Sequence, residues 1–182
     1  MQRLFTSDLH LGHKNILKYR PGFTSTKEHD NFMIDKILSL PKRTLLTIVG
    51  DFIFDSDDFY DQIHRIEKAR CQIQVVMGNH DSKKLYQLPN NISIELPIFS
   101  LKNMWVSHCP IHPGEMRGRI GNIHGHLHNE VVTTEKFISR YGGIIDEPVI
   151  VPDNRYFNVN IDVNQYEFVT LEQIKDLFSV NL

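Results

Sequence analysis

The sequence predicts an α/β layered fold, with sheet packed against sheet and helices outside. Two observations carry this. Short apolar or β-branched runs alternate with segments of helical spacing in the first half, and strand-like runs dominate the second. The 182 residues, 41% hydrophobic and 23% charged, suit one compact domain with a real core and leave no room for a second large one. A single domain over residues 1–182 is expected, with no internal repeat, low-complexity tract or linker.

Taken in order, Leu4-Phe5-Thr6-Ser7 is a short strand. Ser25-Thr26-Lys27-Glu28 is a capping box, with a hydroxyl capping the helix start and a Glu reaching back. The helix it opens carries Phe32, Met33, Ile37 and Leu40 on its inner face and ends at Pro41. Residues 44–49 form a β-branched buried strand. Asp57 or Asp58 caps a helix to about Arg70, with Ile63 and Ile66 facing in. Residues 73–77 are another buried strand, and residues 82–88 a short helix stopped by Pro89. Residues 92–96, 98–101 and 104–107 read as strands. Phe157, Val159 and Ile161 alternate with polar residues, as in a half-exposed strand. Thr170 caps a last helix with Leu171, Ile174 and Leu177 on one face. Residues 129–154 read first as a surface hairpin or irregular loop. The sharper alternative is a lid or dimer contact, because Phe137, Tyr141, Ile144 and Ile145 are apolar for a loop.

The net charge of −2 gives no global pull toward nucleic acid, so any such substrate would be held by the site itself. No apolar run reaches membrane-spanning length, and the N-terminus lacks the layout of a signal peptide. Cys71 and Cys109 are too few for a disulfide framework and read as small buried side chains in a reducing compartment. A cytoplasmic protein with no membrane partner is expected. The composition has one odd feature: eight of the ten histidines fall in three short regions.

Chemistry-bearing residues follow the strands: Asp8-Leu9-His10, then Gly50-Asp51, Gly78-Asn79-His80-Asp81, His108 and His124-Gly125-His126-Leu127-His128. In α/β sheets, ligands gather at the carboxyl ends of strands, so distant segments are expected to converge at one rim. Carboxylate, imidazole and amide oxygen suit manganese, iron, zinc, nickel or cobalt. Seven side chains are too many for one tetrahedral ion. They suffice for two ions sharing a carboxylate, the clamp used for displacement at phosphorus. In Asp8-x-His10 and His126-x-His128 the two-residue spacing would put both ligands on one face of an extended strand. Gly50, Gly78 and Gly125 would let the backbone come close.

This ordered set, spanning residues 8 to 128, resembles the calcineurin-like metallophosphoesterase superfamily, in a small form without an obvious cap. The resemblance implies a four-layer α/β/β/α sandwich of two mixed sheets with helices outside. It implies that Asp8, His10 and His128 hold one metal and Asn79, His108 and His126 the other, with Asp51 bridging. Manganese is taken first, with iron, zinc, nickel or cobalt as alternatives. It implies attack by hydroxide formed between the ions, with His80 assisting the leaving group and Asp81 orienting His80.

An open site suits phosphodiesters: a nucleotide, a cyclic nucleotide or a nucleic-acid end. The runner-up is a phosphomonoesterase or protein phosphatase, although Ser-Lys-Lys follows Asp81 where those enzymes carry arginine. A noncatalytic scaffold of the same fold ranks lower, because His80 and every expected ligand are present. His13 is balanced between a surface role and a contact to substrate phosphate. His124 reads as core or as support for the ligands, Asp55 and His112 as loop residues, and His29 and His64 as surface. Tyr19, Arg20, Lys83, Arg117 and Arg119 are further candidates for binding phosphate. The oligomeric state is not set by the sequence.

Overall fold

The computed structural model describes residues 1–87, 91–137 and 148–179. Its elements are β1 (Gln2–Thr6), α1 (Thr26–Leu38), β2 (Thr44–Val49), α2 (Phe59–Ile66), β3 (Gln72–Val76), β4 (Ile92–Glu95), β5 (Ile98–Leu101), β6 (Met104–Ser107), β7 (Gly121–His124), β8 (Thr133–Lys136), β9 (Val149–Pro152), β10 (Tyr156–Asn158), β11 (Val169–Thr170) and α3 (Leu171–Ser179). One sheet runs β11-β1-β2-β3-β4 and a second β10-β7-β6-β5. Both are mixed. β11 is antiparallel to β1 in the first and β5 to β6 in the second, while the other pairs are parallel. The mixed α/β class with two mixed sheets is as predicted.

β2 is buried along its whole length because its two faces serve different cores. On one face, Leu46 and Ile48 join Met33, Ile34 and Ile37 of α1 and Ile63 and Ile66 of α2. On the other, Phe5, Val49 and Val76 meet Met104, Val106 and Ile123 of the second sheet. α3 packs against β1 and β11 and adds Ile174 and Phe178 to this inter-sheet core. Its inner face is thus Ile174 and Phe178, four apart, while Leu177 is half-exposed. Residues 109–119 cross the outer face of the second sheet, where the Ile111 N–H donates to Asn122 Oδ1 at 2.9 Å.

Local expectations hold with adjustments. Ser25 Oγ caps α1 by accepting from the Glu28 N–H at 3.1 Å, and the Glu28 carboxylate reaches back, chiefly to the N–H and hydroxyl of Thr24 and more weakly to the Ser25 N–H. The helix stops at Leu38, short of Pro41, and Phe32 points outward. α2 ends at Ile66, before Arg70, and its N-cap Asp58 makes no side-chain cap. Residues Lys83–Gln87 form a 3-10 turn, and Pro89 lies outside the described residues. β8 and β9 pair as an antiparallel hairpin, as first expected of that region. Phe137 is exposed, while Tyr141, Ile144 and Ile145 lie outside the described residues. Beyond β10, Val159 and Ile161 are fully buried rather than part of a half-exposed strand. No helix among the described residues is long and apolar enough to cross a membrane.

Candidate metal centre

Five strands, β1, β2 and β3 of one sheet and β6 and β7 of the other, end on the same rim. The loops that follow them are stitched together by the backbone. The Asp8 N–H donates to Gly50 O, His10 N–H to Asp51 O, and Gly125 N–H to His108 O, at 2.9, 2.9 and 3.0 Å. The site therefore bridges the ends of two sheets.

The paired ligands do not sit on extended strands as their spacing suggested. β1 stops at Thr6 and β7 at His124, so neither Asp8-x-His10 nor His126-x-His128 lies on a strand. Asp8, His10, Asp51, His126 and His128 instead occupy the left-handed region, with φ of 58, 54, 51, 69 and 49°. Residues with a Cβ adopt this conformation at a cost, and such strain gathers where side chains must be aimed. Gly50 also has positive φ, at 87°. Gly78 and Gly125 matter for space, because a Cβ there would strike the Asp51 carboxylate or the side chains of Ser7 and Asp8.

Ligand atoms of Asp8, His10 and His128 lie within 4.8 Å of one another, as do those of Asp8, Asp51 and His108. The His10 and His128 rings stack at 5.3 Å, and the His108 and His126 rings meet edge-on at 5.0 Å. His108 donates Nδ1–H to Val49 O at 2.9 Å, which turns Nε2 toward Asn79 Oδ1 at 3.0 Å and Asp51 Oδ1 at 3.4 Å. All seven expected ligands are thus brought to one place. Cys109, expected to be buried, is exposed and lies against His108 and His126.

A pair of cations fits this donor set. Two atoms each about 2.1 Å from one ion stand at most ~4.2 Å apart. His10 Nε2 is 4.0 Å from Asp8 Oδ1 and from Asp51 Oδ2, too far to share a proton. His10 Nδ1 is buried without a partner among the described residues. Burial holds the His10 ring down to about 3, so it is a neutral imidazole, the form that ligates. Burial pushes the Asp8 carboxyl up, and the Asp51 charge adds to this against the Ser7 hydroxyl. Burial also opposes ionisation of Asp51, but His108 and the His80 N–H outweigh it and hold Asp51 at about 2. His108 rises despite burial because Asp51 accepts from it.

Around this set, the His80 ring is exposed and stacks on Phe54 at 5.2 Å and 16°. Phe54 also stacks with His13 at 4.6 Å, and Tyr19 stacks on His13 in turn. These rings line a cavity of about 890 Å³ with His10 and His128. His13 therefore stands at the site, its Nδ1 buried without a partner among the described residues and its pKa lowered by burial and by His80.

Asp81 does something other than orient the His80 ring. Its carboxylate accepts from the N–H groups of Phe52 (2.7 Å), Ile53 (3.0 Å) and Gly78 (2.8 Å), tying the Asp51 loop to the Asn79 turn. Burial raises its pKa against those three donors.

Arg20, a candidate for phosphate, is buried and committed elsewhere. It grips the Asp162 carboxylate with two bonds of 2.8 Å and donates to the carbonyls of Asp8 and Leu9 at 2.6 and 3.0 Å. It also donates to His29 Nε2, so His29 passes Nδ1–H to Asp30. His29 is fully buried, not on the surface. His124 is buried and bonds the Gly125 carbonyl at 2.8 Å. Asp55 pairs with Lys84 on the surface, as a loop charge would.

Sequence reasoning missed Phe54 and the Asn158-x-Asn160 pair, which bonds the His128 backbone at 2.8 Å and lies 3.5 Å from its ring. The available signal was position: Phe54 is three residues past Asp51, and the two asparagines alternate along a buried segment.

The sequence matches the calcineurin-like phosphoesterase family over residues 1–177. The chain belongs to that family. No curated protein matches it. Its structure is similar to the crystal structure of a protein of unknown function from Aquifex aeolicus, with a TM-score of 0.66 and 21% identity over 97% of this chain and 98% of that one. That likeness concerns the fold. Family membership makes this calcineurin-like phosphoesterase a phosphoester hydrolase in general terms; the family typically binds divalent metals, and the groups above are candidate ligands.

Proposed function

We propose that residues 1–182 form one catalytic domain, a cytoplasmic phosphodiesterase that uses two divalent ions, manganese first and iron, zinc, nickel or cobalt as alternatives. The observation that carries this is the pair of ligand clusters that share Asp8 and lie beside His80. In this reading Asp8, His10 and His128 hold one ion, Asn79, His108 and His126 the other, and Asp51 reaches both. The ions would polarise the phosphoryl oxygens and lower the pKa of a water between them. His80, held by Phe54 and by its N–H to Asp51, gives a proton to the leaving oxygen. Asp81 fixes the two loops that carry Asp51 and Asn79, and His13 contacts the substrate beside His80.

Two features favour a diester. Clefts flank the ligand set on both sides, one at His10 and His128 and one at Asn79 and His108, so both ester arms have room. Several cations that could grip a dianion are already paired, Arg20 with Asp162, Lys84 with Asp55 and Arg117 with Glu115. Free Cys71 and Cys109 fit a reducing compartment. Substrates of this kind are nucleotides, cyclic nucleotides or nucleic-acid ends.

The test loads chelator-stripped protein with manganese and compares bis-p-nitrophenyl phosphate with p-nitrophenyl phosphate. Metal-dependent turnover of the diester is expected. It should fall in Asp51→Asn by more than the roughly 10–100-fold that loss of an outer partner costs. Preference for the monoester would replace the diester reading with a phosphatase. No turnover with two ions bound would overturn the catalytic reading.

A further inference from the structure

A cleft of about 1020 Å³ opens on the outer face of the second sheet, beside Asn79 and His108. Its size is at the upper end of the ~300–1,000 Å³ common for small-molecule sites. Trp105 of β6 lines it, facing residues 109–119. That facing segment is held in place at several points. Tyr156 Oη donates to Ile111 O at 2.6 Å, Ser107 Oγ to Cys109 O at 2.7 Å, and Trp105 Nε1 to Glu115 O at 3.1 Å. The cleft is therefore formed before any ligand arrives. The Arg119 guanidinium lies 4.2 Å from the centre of the Trp105 ring, and its Nε is buried without a partner among the described residues.

We propose that this cleft receives a planar heteroaromatic arm of the substrate, the base of a nucleoside ester. This rests on the phosphodiesterase reading and narrows its substrate class. The chemistry of the lining selects the arm. Indole and guanidinium together offer a flat polarisable surface and hydrogen-bond donors to a ring with polar edges. Pro97, Ile98, Pro110 and Ile111 add apolar wall beside the polar Ser107, His112 and the Glu115–Arg117 pair, which disfavours a fully hydrated sugar or a bare anion. Reach also agrees, because Asn79 and His108 belong both to the ligand set and to the cleft mouth, so a phosphate at the ions sets its arm here. Arg117 is paired with Glu115, which makes Arg119 the cation that meets the base. The opposite cavity differs. There the rings of His80, Phe54 and His13 stack on one another, and Asp162 and Glu130 add acid. That side suits a departing oxygen rather than a base.

Trp105 is the chain's one tryptophan, so its fluorescence reports on this cleft without metals or turnover. Chelator-stripped protein is titrated with adenosine 5′-monophosphate and, separately, ribose 5-phosphate. Saturable quenching by the nucleotide and none by the sugar phosphate is expected. Arg119→Ala should weaken the nucleotide roughly tenfold, within the range that loss of one stacking partner gives. Equal quenching by both compounds would make the cleft a phosphate site and overturn the proposal. No quenching in an enzyme that turns over the synthetic diester would overturn the proposal while leaving the phosphodiesterase reading intact. Quenching in a protein with no turnover would support the nucleoside site and remove the catalytic reading alone.

Discussion

His80 is steadied by a ring, not by its neighbouring acid. Stacking on Phe54 and the N–H bond to Asp51 set its place, while Asp81 spends both oxygens on backbone donors. Sequence adjacency suggested otherwise because successive residues in a turn project in different directions. His80→Ala should therefore lower kcat by about 10²–10⁴, the usual yield of a general acid, with metal content unchanged. Phe54→Ala should lower it by roughly 10–100-fold, as loss of an orienting partner does. Metal analysis beside kinetics decides: loss of ions in His80→Ala would make it a ligand and refute its assigned role. His124 gives a second check. Chiefly through burial it is held near pH 4 from its ordinary 6.5. Below 6.5 the unfolded chain takes up a proton that the folded ring refuses, so this group's contribution is lost as pH falls from about 6.5 toward 4. Urea midpoints of metal-free wild type, measured against His124→Asn, should fall over that window. A constant difference between the two would mean that the ring is charged in the fold.

At the scale of elements, the site depends on loops held in costly left-handed turns, and something must hold them there. Arg20 does so for the first ligand loop, joining the carbonyls of Asp8 and Leu9 to Asp162 and, through His29 and Asp30, to the Gly12 N–H and to Gln62 of α2. Removing the buried Arg20 side of this pair leaves Asp162 and the two carbonyls without their donor. Arg20→Ala should therefore cost about 3–5 kcal/mol, read from urea unfolding. A change under about 1 kcal/mol would show that solvent replaces Arg20 and that the loop is held by other bonds. The helices and strands themselves were mostly legible. The β-branched run of β2, the serine cap of α1 and the spacing of α2 all reappear, because each is a local property of a few consecutive residues. Their ends were less so: α2 stops at Ile66, and the last helix buries Phe178 rather than Leu177. Ends and faces answer to what packs against them.

At the scale of the molecule, the ends of the neighbouring strands β1 and β2, facing the histidine-bearing loops of the second sheet, put Asp8 and Asp51, both buried, side by side with no lysine or arginine bonded to either carboxylate among the described residues. The metal-free fold bears that repulsion, and cations relieve it. Manganese at a thousand times its dissociation constant should raise unfolding stability by about 4 kcal/mol, seen as a higher Tm that a chelator reverses. An unchanged Tm with ions bound would mean that they bind the unfolded chain equally well or sit elsewhere. The sequence by itself determined the α/β class and the short motifs that bring carboxylate, amide and imidazole groups together, because each motif directly follows a strand and its chemistry is contained in two to five consecutive residues. Only the tertiary structure decided that Arg20 braces the site instead of binding phosphate, that His29 is buried and Cys109 exposed, that Phe54 carries His80 and His13, and that a cleft flanks the ligands on each side. Those outcomes depend on contacts between segments as far apart as Arg20 and Asp162, and a side chain's neighbours across the fold, unlike its neighbours along the chain, are fixed only when the sheets have packed.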